Sequence, residues 1–343
     1  MLTTGAVLTT LTLALQAGQI AEAPDALISA HGIELSSDGR VFMLYAALNG
    51  LGYSDETERK KPPLRSPVFH PIREKARDAL RKLESEGKLG EIRKFFEANP
   101  ASVELYLTAV LAHDLSLAKA EVEPSPEAKK LAGIAPLLQK LGNEPAISKI
   151  YDELALEQRK LALELLARVD QSFDAAAKSF NMPGLRAPLN LIVVPNPLDA
   201  HGSVRALDVG KLRVLVVGPG LDTANRAILQ AGLRGILAPW VAKGMAGGAK
   251  LKKAWESART VRRIAARFRD ADAYATETLS RVLAFQILSG AKGKITPEAE
   301  EDFIETESKN DLRWARAMLR ALDGRGAEPL ETAVAKVVAR ASP

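Results

Sequence analysis

Two short β-branched runs, Leu189–Pro195 (LNLIVVP) and Leu212–Gly218 (LRVLVVG), interrupt a chain whose remaining pattern is helical. Runs of this length read as buried strands, and residues 204–207 form a third candidate between them. Before them, apolar spacing predicts helices over 41–50, 72–83, 89–98, 101–116, 126–141 and 146–180. After them it predicts 224–242, capped by Asp222 or Thr223, then 250–268, 270–289, 296–323 and 328–341. A further short strand is expected around Ile33. Helices, a small sheet at about 188–218, then helices again: this order implies an α+β fold, mostly helical. With 343 residues the chain has room for two domains. One division is a signal peptide at 1–23, a helical part at 24–182 and a sheet-plus-helix part at 183–343. The alternative is one continuous domain over 24–343.

Chemistry is bounded by two residue types. Cysteine is absent, which removes disulfides, thiolate metal sites and cysteine nucleophiles. The four histidines, His31, His70, His113 and His201, are so spaced that no two lie within five residues. A helical His pair at i and i+4, the core of an HExxH zinc site, is therefore excluded. No GxSxG elbow is present either.

The net charge of +5 tilts association toward anionic surfaces without marking a nucleic-acid binder. The most basic tract, Lys250–Arg269, places Leu251, Trp255, Ala258, Val261, Ile264, Ala265 and Phe268 on one helical face. That is the pattern of a docked helix with a solvated basic side; contact with an anionic polymer or lipid headgroups is the functional alternative. Ala6–Ala17 is uncharged and apolar but shorter than the roughly 20 residues of a bilayer span. Followed by Ala21-Glu22-Ala23 it resembles a secretory signal, although no Lys or Arg precedes it and an ordinary helix is the other reading. Export would place the protein in the periplasm or outside the cell; without it the chain would be cytoplasmic. No transmembrane anchor is expected.

Several stretches resemble a bacterial family of secreted, gluzincin-like metallopeptidase-like proteins of unassigned function. They are Val41–Tyr53 (VFMLYAALNGLGY), Phe69-His70-Pro71, Gln230–Pro239 (QAGLRGILAP) and Glu277–Val282 (ETLSRV). The resemblance implies a gluzincin-like core, with the sheet packed on the helix that carries HExxH in the family and a later helix that supplies a Glu ligand. Carried over position by position, Gln230 replaces the first His, Ala231 the general-base Glu and Arg234 the second His, while Glu277 remains. Gln is a weak neutral donor, Ala accepts no proton, and Arg is permanently cationic and binds no metal. A degenerate member of the family without catalytic residues, metal or cofactor is thus expected. An unpaired buried Glu277 is costly, so Arg234 is expected to occupy the vacated space and pair with it in bidentate fashion; the alternative is that Arg234 snorkels to solvent while Glu277 caps or pairs locally.

Other positions carry weaker signals. His70 reads as a helix cap or as a polar site residue, and His201 as a loop residue or a ligand. The glycines of Val217-Gly218-Pro219-Gly220 lack the Lys-Ser/Thr of a phosphate loop and suit a strand-to-helix turn. Gly232, Gly235, Gly244, Gly247 and Gly248 suit tight helix contacts and a flexible loop. Three functions remain open: an inactive metallopeptidase-like protein binding an extended peptide or envelope polymer, with no nucleic acid expected; an active metal-dependent hydrolase with an unrecognised site; and a helical interaction module unrelated to peptidases. Oligomeric state is not encoded in any of these features.

Overall fold

A computed structural model describes residues 26–52, 70–119, 121–182, 184–187, 190–291, 293–323 and 328–341. The 1–23 segment read as a candidate signal peptide lies outside them, as do Tyr53, Phe69 and Leu189 of the stretches quoted above. The protein is α+β and mostly helical, around a small mixed sheet.

The N-terminal part runs β1 (Leu27–Ile28), β2 (Glu34–Leu35), α1 (Gly39–Gly50), α2 (Pro71–Ser85), α3 (Gly90–Ala98), α4 (Val103–Leu111), α5 (Pro126–Lys129), α6 (Ile134–Gly142) and α7 (Pro145–Ser179). Then come β3 (Leu191–Pro195), β4 (Val204–Val209) and β5 (Leu212–Val217). The rest is helical: α8 (Leu221–Gly247), α9 (Ala249–Ala258), α10 (Arg262–Arg267), α11 (Ala271–Gly290), α12 (Pro297–Lys309), α13 (Ala315–Asp323) and α14 (Leu330–Arg340).

The three central strands form as their composition dictates, and the strand expected near Ile33 is β2. The sheet is nevertheless wider than 188–218. Its order is β1-β2-β3-β5-β4, with β2 parallel to β3 through the register Glu34↔Ile192 and Leu35↔Val193. Strands of two residues contain no alternation to read, which is why β1 left no signal. β4 and β5 form a hairpin, turning at Gly210-Lys211 between the paired residues Val209 and Leu212. Gly210 has φ +60, the left-handed conformation that tight hairpin turns require.

Pleating divides the sheet between two cores. Leu191, Val193, Leu215 and Val217 face one hydrophobic cluster with α8, α11 and α14. Val194, Val214, Val216, Leu207 and Val209 face the other, with α1, α2, α4 and α6. Helix α7, 35 residues long, serves both: Ile147, Ile150, Tyr151 and Leu154 enter the second cluster, and Leu165, Val169, Phe173 and Ala176 the first. Where it crosses, buried Gln158 donates Nε2 to the carbonyl of Pro195 at the end of β3 (2.8 Å).

Three expected helices are broken. The 250–268 segment divides at residues 259–261, with Val261 extended (ψ 111). The 296–323 segment divides before α13, where Asp311 has φ +67. The 126–141 segment divides after Lys129. Apolar spacing runs through the first break, with Trp255, Ala258, Ile264 and Phe268 all buried, so periodicity did not reveal it; Ala265, placed on the same face, is exposed. α8 starts earlier than expected. Its N-cap is Gly220 (φ +121) with no side-chain cap, and Asp222 lies in the first turn instead.

Candidate functional site

Helices α8 and α11 pack side by side, and Arg234 of α8 meets Glu277 of α11, while Gln230 is half-buried and Ala231 buried on α8. α8 approaches its neighbours closely because it carries glycine at two contacts. A Cβ on Gly232 would sit 2.5 Å from Phe173 Cζ of α7, and one on Gly244 would sit 2.7 Å from the Ala335 carbonyl oxygen of α14. These two glycines serve tight helix contacts as expected, whereas a Cβ on Gly247 would meet nothing within 4 Å, and the helix runs through to Gly247 instead of opening into a loop.

Glu277 is 8% exposed, and Arg234 Nη1 lies 3.2 Å from its Oε2. The expected pair is therefore formed, with a single contact rather than a bidentate fork. Arg234 does not have the carboxylate to itself. Arg281, one turn along α11, donates Nε to Glu277 Oε1 at 2.8 Å, and Arg267 of α10 lies 3.5 Å from the same oxygen. Arg281 also reaches buried Glu307 of α12 at 3.1 Å. Three guanidiniums thus converge on Glu277: Arg281 is the local partner left open as the alternative, and Arg267 was not foreseen. The i,i+4 spacing of Glu277 and Arg281 was the available signal; Arg267 arrives through the break between α9 and α10, which gave none.

Burial raises the pKa of the Glu277 carboxyl, but Arg234, Arg281 and Arg267 together outweigh it and hold the group below its ordinary value. Arg281 is depressed by burial, yet its two carboxylates raise it above the usual arginine value. For Arg234 the balance goes the other way. Burial lowers it, Glu277 opposes, and Arg213 lowers it further. Arg234 Nε is buried without a hydrogen-bond partner. Beside it opens a groove of about 400 Å³ between α8 and the β4–β5 hairpin, lined by Ala231, Arg234, Gly235 and Ala238 on one side and by Asp208, Lys211 and Arg213 on the other.

The histidines lie on other elements. His70 caps α2, its Nδ1 accepting the Ile72 N–H at 3.4 Å, with Pro71 at the first helical position. His201 is exposed on the β3–β4 loop and borders Gly220, where a Cβ would lie 3.3 Å from its ring. That loop also explains Gly218, since a Cβ there would stand 2.2 Å from the Ala200 carbonyl oxygen. His31 contacts the Leu185 carbonyl and Asp174, and His113 the Ala109 carbonyl. Among the described residues no group of three or more His, Asp or Glu could hold a metal ion, and no helix is long and apolar enough to cross a membrane.

A second polar cluster lies on the opposite face of the sheet. Tyr45 donates its hydroxyl to Asp199 Oδ2 (2.7 Å), Arg205 donates Nε to Tyr45 Oη (2.8 Å) and its Nη1 meets Glu104. Asn49 Nδ2 donates to the Leu198 carbonyl (3.0 Å), and Arg73 Nε donates to Asn49 Oδ1 (2.9 Å). Tyr45 and Asn49, polar tips within the apolar run of α1, were the sequence signal for it. Asp199 is 1% exposed, so this cluster ties α1 and α2 to the β3–β4 loop rather than facing a ligand.

Compared with known proteins, the chain matches no family model, no curated protein and no solved structure.

Proposed function

We propose that this chain is a catalytically inactive relative of gluzincin-type metallopeptidases, exported and retained to bind an extended peptide or envelope polymer. The observation that carries the reading is the 3.2 Å contact between Arg234 and Glu277, the positions that the resemblance assigns to a zinc ligand on each of two helices. A guanidinium there supplies the positive charge that a buried carboxylate requires and takes the place of the metal. Gln230 and Arg234, four residues apart on α8, are both partly exposed, and Ala231 between them is buried at the groove wall. Ala231 and Arg234 thus line one opening, as a base and a ligand of such a site would need, and Gln230 lies one turn before Arg234 on the same helix. Ala231 accepts no proton, so no water is activated at this position. The sheet supports the binding part: among the described residues β4 lies at its edge and pairs only with β5, and an edge strand is suited to strand addition.

Restoring the ligands tests the ancestry. The variant Gln230→His/Ala231→Glu/Arg234→His should bind about one zinc per chain by metal analysis and should melt higher with zinc than without. The unaltered chain should take none. Stoichiometric zinc in the unaltered chain, or none in a variant whose circular dichroism shows it folded, overturns the proposal.

A further inference from the structure

The groove beside α8 holds more positive charge than its carboxylates balance. Lys211 and Arg213 from the hairpin and Arg234 from α8 line it, and Asp208 is its one acidic lining residue. Asp208 is committed to Arg213 Nη1 at 2.8 Å. Even if Glu277 is assigned wholly to Arg234, three cations stand against two carboxylates, and Glu277 is in fact shared with Arg281 and Arg267. Hydrogen bonding is incomplete in the same place. Arg213 Nε and Arg234 Nε are both buried without an acceptor. The two guanidiniums are also close enough for Arg213 to depress Arg234. Two mutually repelling, partly exposed cations that line one groove, each with a donor left unused, form the arrangement that an oxyanion relieves.

The rest of the lining selects among oxyanions. Leu191, Ala231 and Ala238 give the groove apolar walls, and Leu212 stands 41% exposed at the hairpin. A volume of about 400 Å³ suits a ligand of a few residues rather than a bare ion. The uncompensated positive charge calls for an anion, and apolar walls call for short aliphatic side chains beside it. We infer that this groove binds the terminal carboxylate of a peptide-like ligand with small apolar end residues, through Arg213 and Arg234. The inference rests on the reading of the chain as a peptide or polymer binder and deepens it, since a ligand lying along β4 would end beside the hairpin turn.

The test is titration calorimetry of the full chain with three probes: N-acetyl-Ala-Ala-Ala as the free acid, the same peptide as its carboxamide, and inorganic phosphate. The free acid should bind, and the carboxamide at least about tenfold more weakly, the worth of a charge-assisted hydrogen bond. Arg213→Gln, on a partly exposed hairpin residue whose partner Asp208 is itself exposed, should weaken the free acid by a similar factor without changing the fold. Arg213→Lys should recover part of the loss. Equal binding of acid and carboxamide overturns the carboxylate inference while keeping the peptide-binding reading. Phosphate binding without free-acid binding overturns the inference as well. No binding of either peptide at about 10 mM, a regime of negligible affinity, overturns the inference together with the peptide-binding reading. Zinc uptake by the restored variant is independent of all these outcomes.

Discussion

Replacing Glu277 by Gln keeps the shape of the side chain and removes the one negative charge that three guanidiniums share. Arg234 then loses its ion pair, while Arg281 keeps Glu307. The side chains of Glu277, Arg281 and Arg234 are 11%, 20% and 33% exposed, and that of Arg267 is 43%. The Arg267 contact is therefore worth at most a few tenths of a kcal/mol. The loss at Arg281 is about one charge-assisted hydrogen bond, and the loss at Arg234 is a partly buried pair that water can partly replace. The easier burial of a neutral amide offsets some of this, leaving a net destabilisation of about 2–3 kcal/mol. With an unfolding entropy of about 2.1 cal/mol/K per residue over 343 residues, the midpoint should fall by about 3–4 °C. Calorimetry and urea denaturation at pH 7 measure it, and a double-mutant cycle with Arg234→Met should return a coupling of about 1 kcal/mol. The depressed pKa of Glu277 adds a second readout. Its contribution is complete above the ordinary glutamate value of 4.5 and is lost as pH falls through the lower folded value, so the gap between wild type and variant should close below pH 4.5. A variant within 1 °C of wild type, or a gap that persists in acid, would refute the role assigned to this carboxylate.

Two further perturbations test other parts of the fold. Gly232→Ala drives a methyl into Phe173, 2.5 Å away and fully buried. Overpacking of about 1–3 kcal/mol should exceed the helix-propensity gain of about 1 kcal/mol, and Phe173→Leu should recover part of the loss; an alanine variant more stable than wild type contradicts the close approach of α7 and α8. At His70, burial lowers the pKa below 6.5 against the pull of Glu157, consistent with a neutral ring whose Nδ1 caps α2. The unfolded state then takes up its proton first, so this stability is complete above pH 6.5 and declines as pH falls below it. His70→Asn should keep the cap and lose that decline, while His70→Ala should cost about 1 kcal/mol; parallel stability curves for wild type and His70→Asn between pH 5 and 7 would show that the cap does not depend on a neutral ring.

Much of the architecture is local and therefore legible. Val and Ile runs at 191–195 and 212–217, helical spacing in α7 and α11, and Pro71 after His70 mark elements through preferences that act within a few residues. The exclusion of an HExxH site is stronger still, because it depends only on which residues are present. Even the pairing of Arg234 with Glu277 could be anticipated, since a buried carboxylate demands a cation. That Arg267 and Arg281 would share the carboxylate, that β1 and β2 would extend the sheet, and that Arg213 and Lys211 would close a groove opposite Ala231 were decided by the tertiary structure. Each depends on where a helix breaks or a hairpin tip lands relative to an element distant in sequence. Such convergence follows from the packing of the two cores on the sheet, and local periodicity carries no record of it.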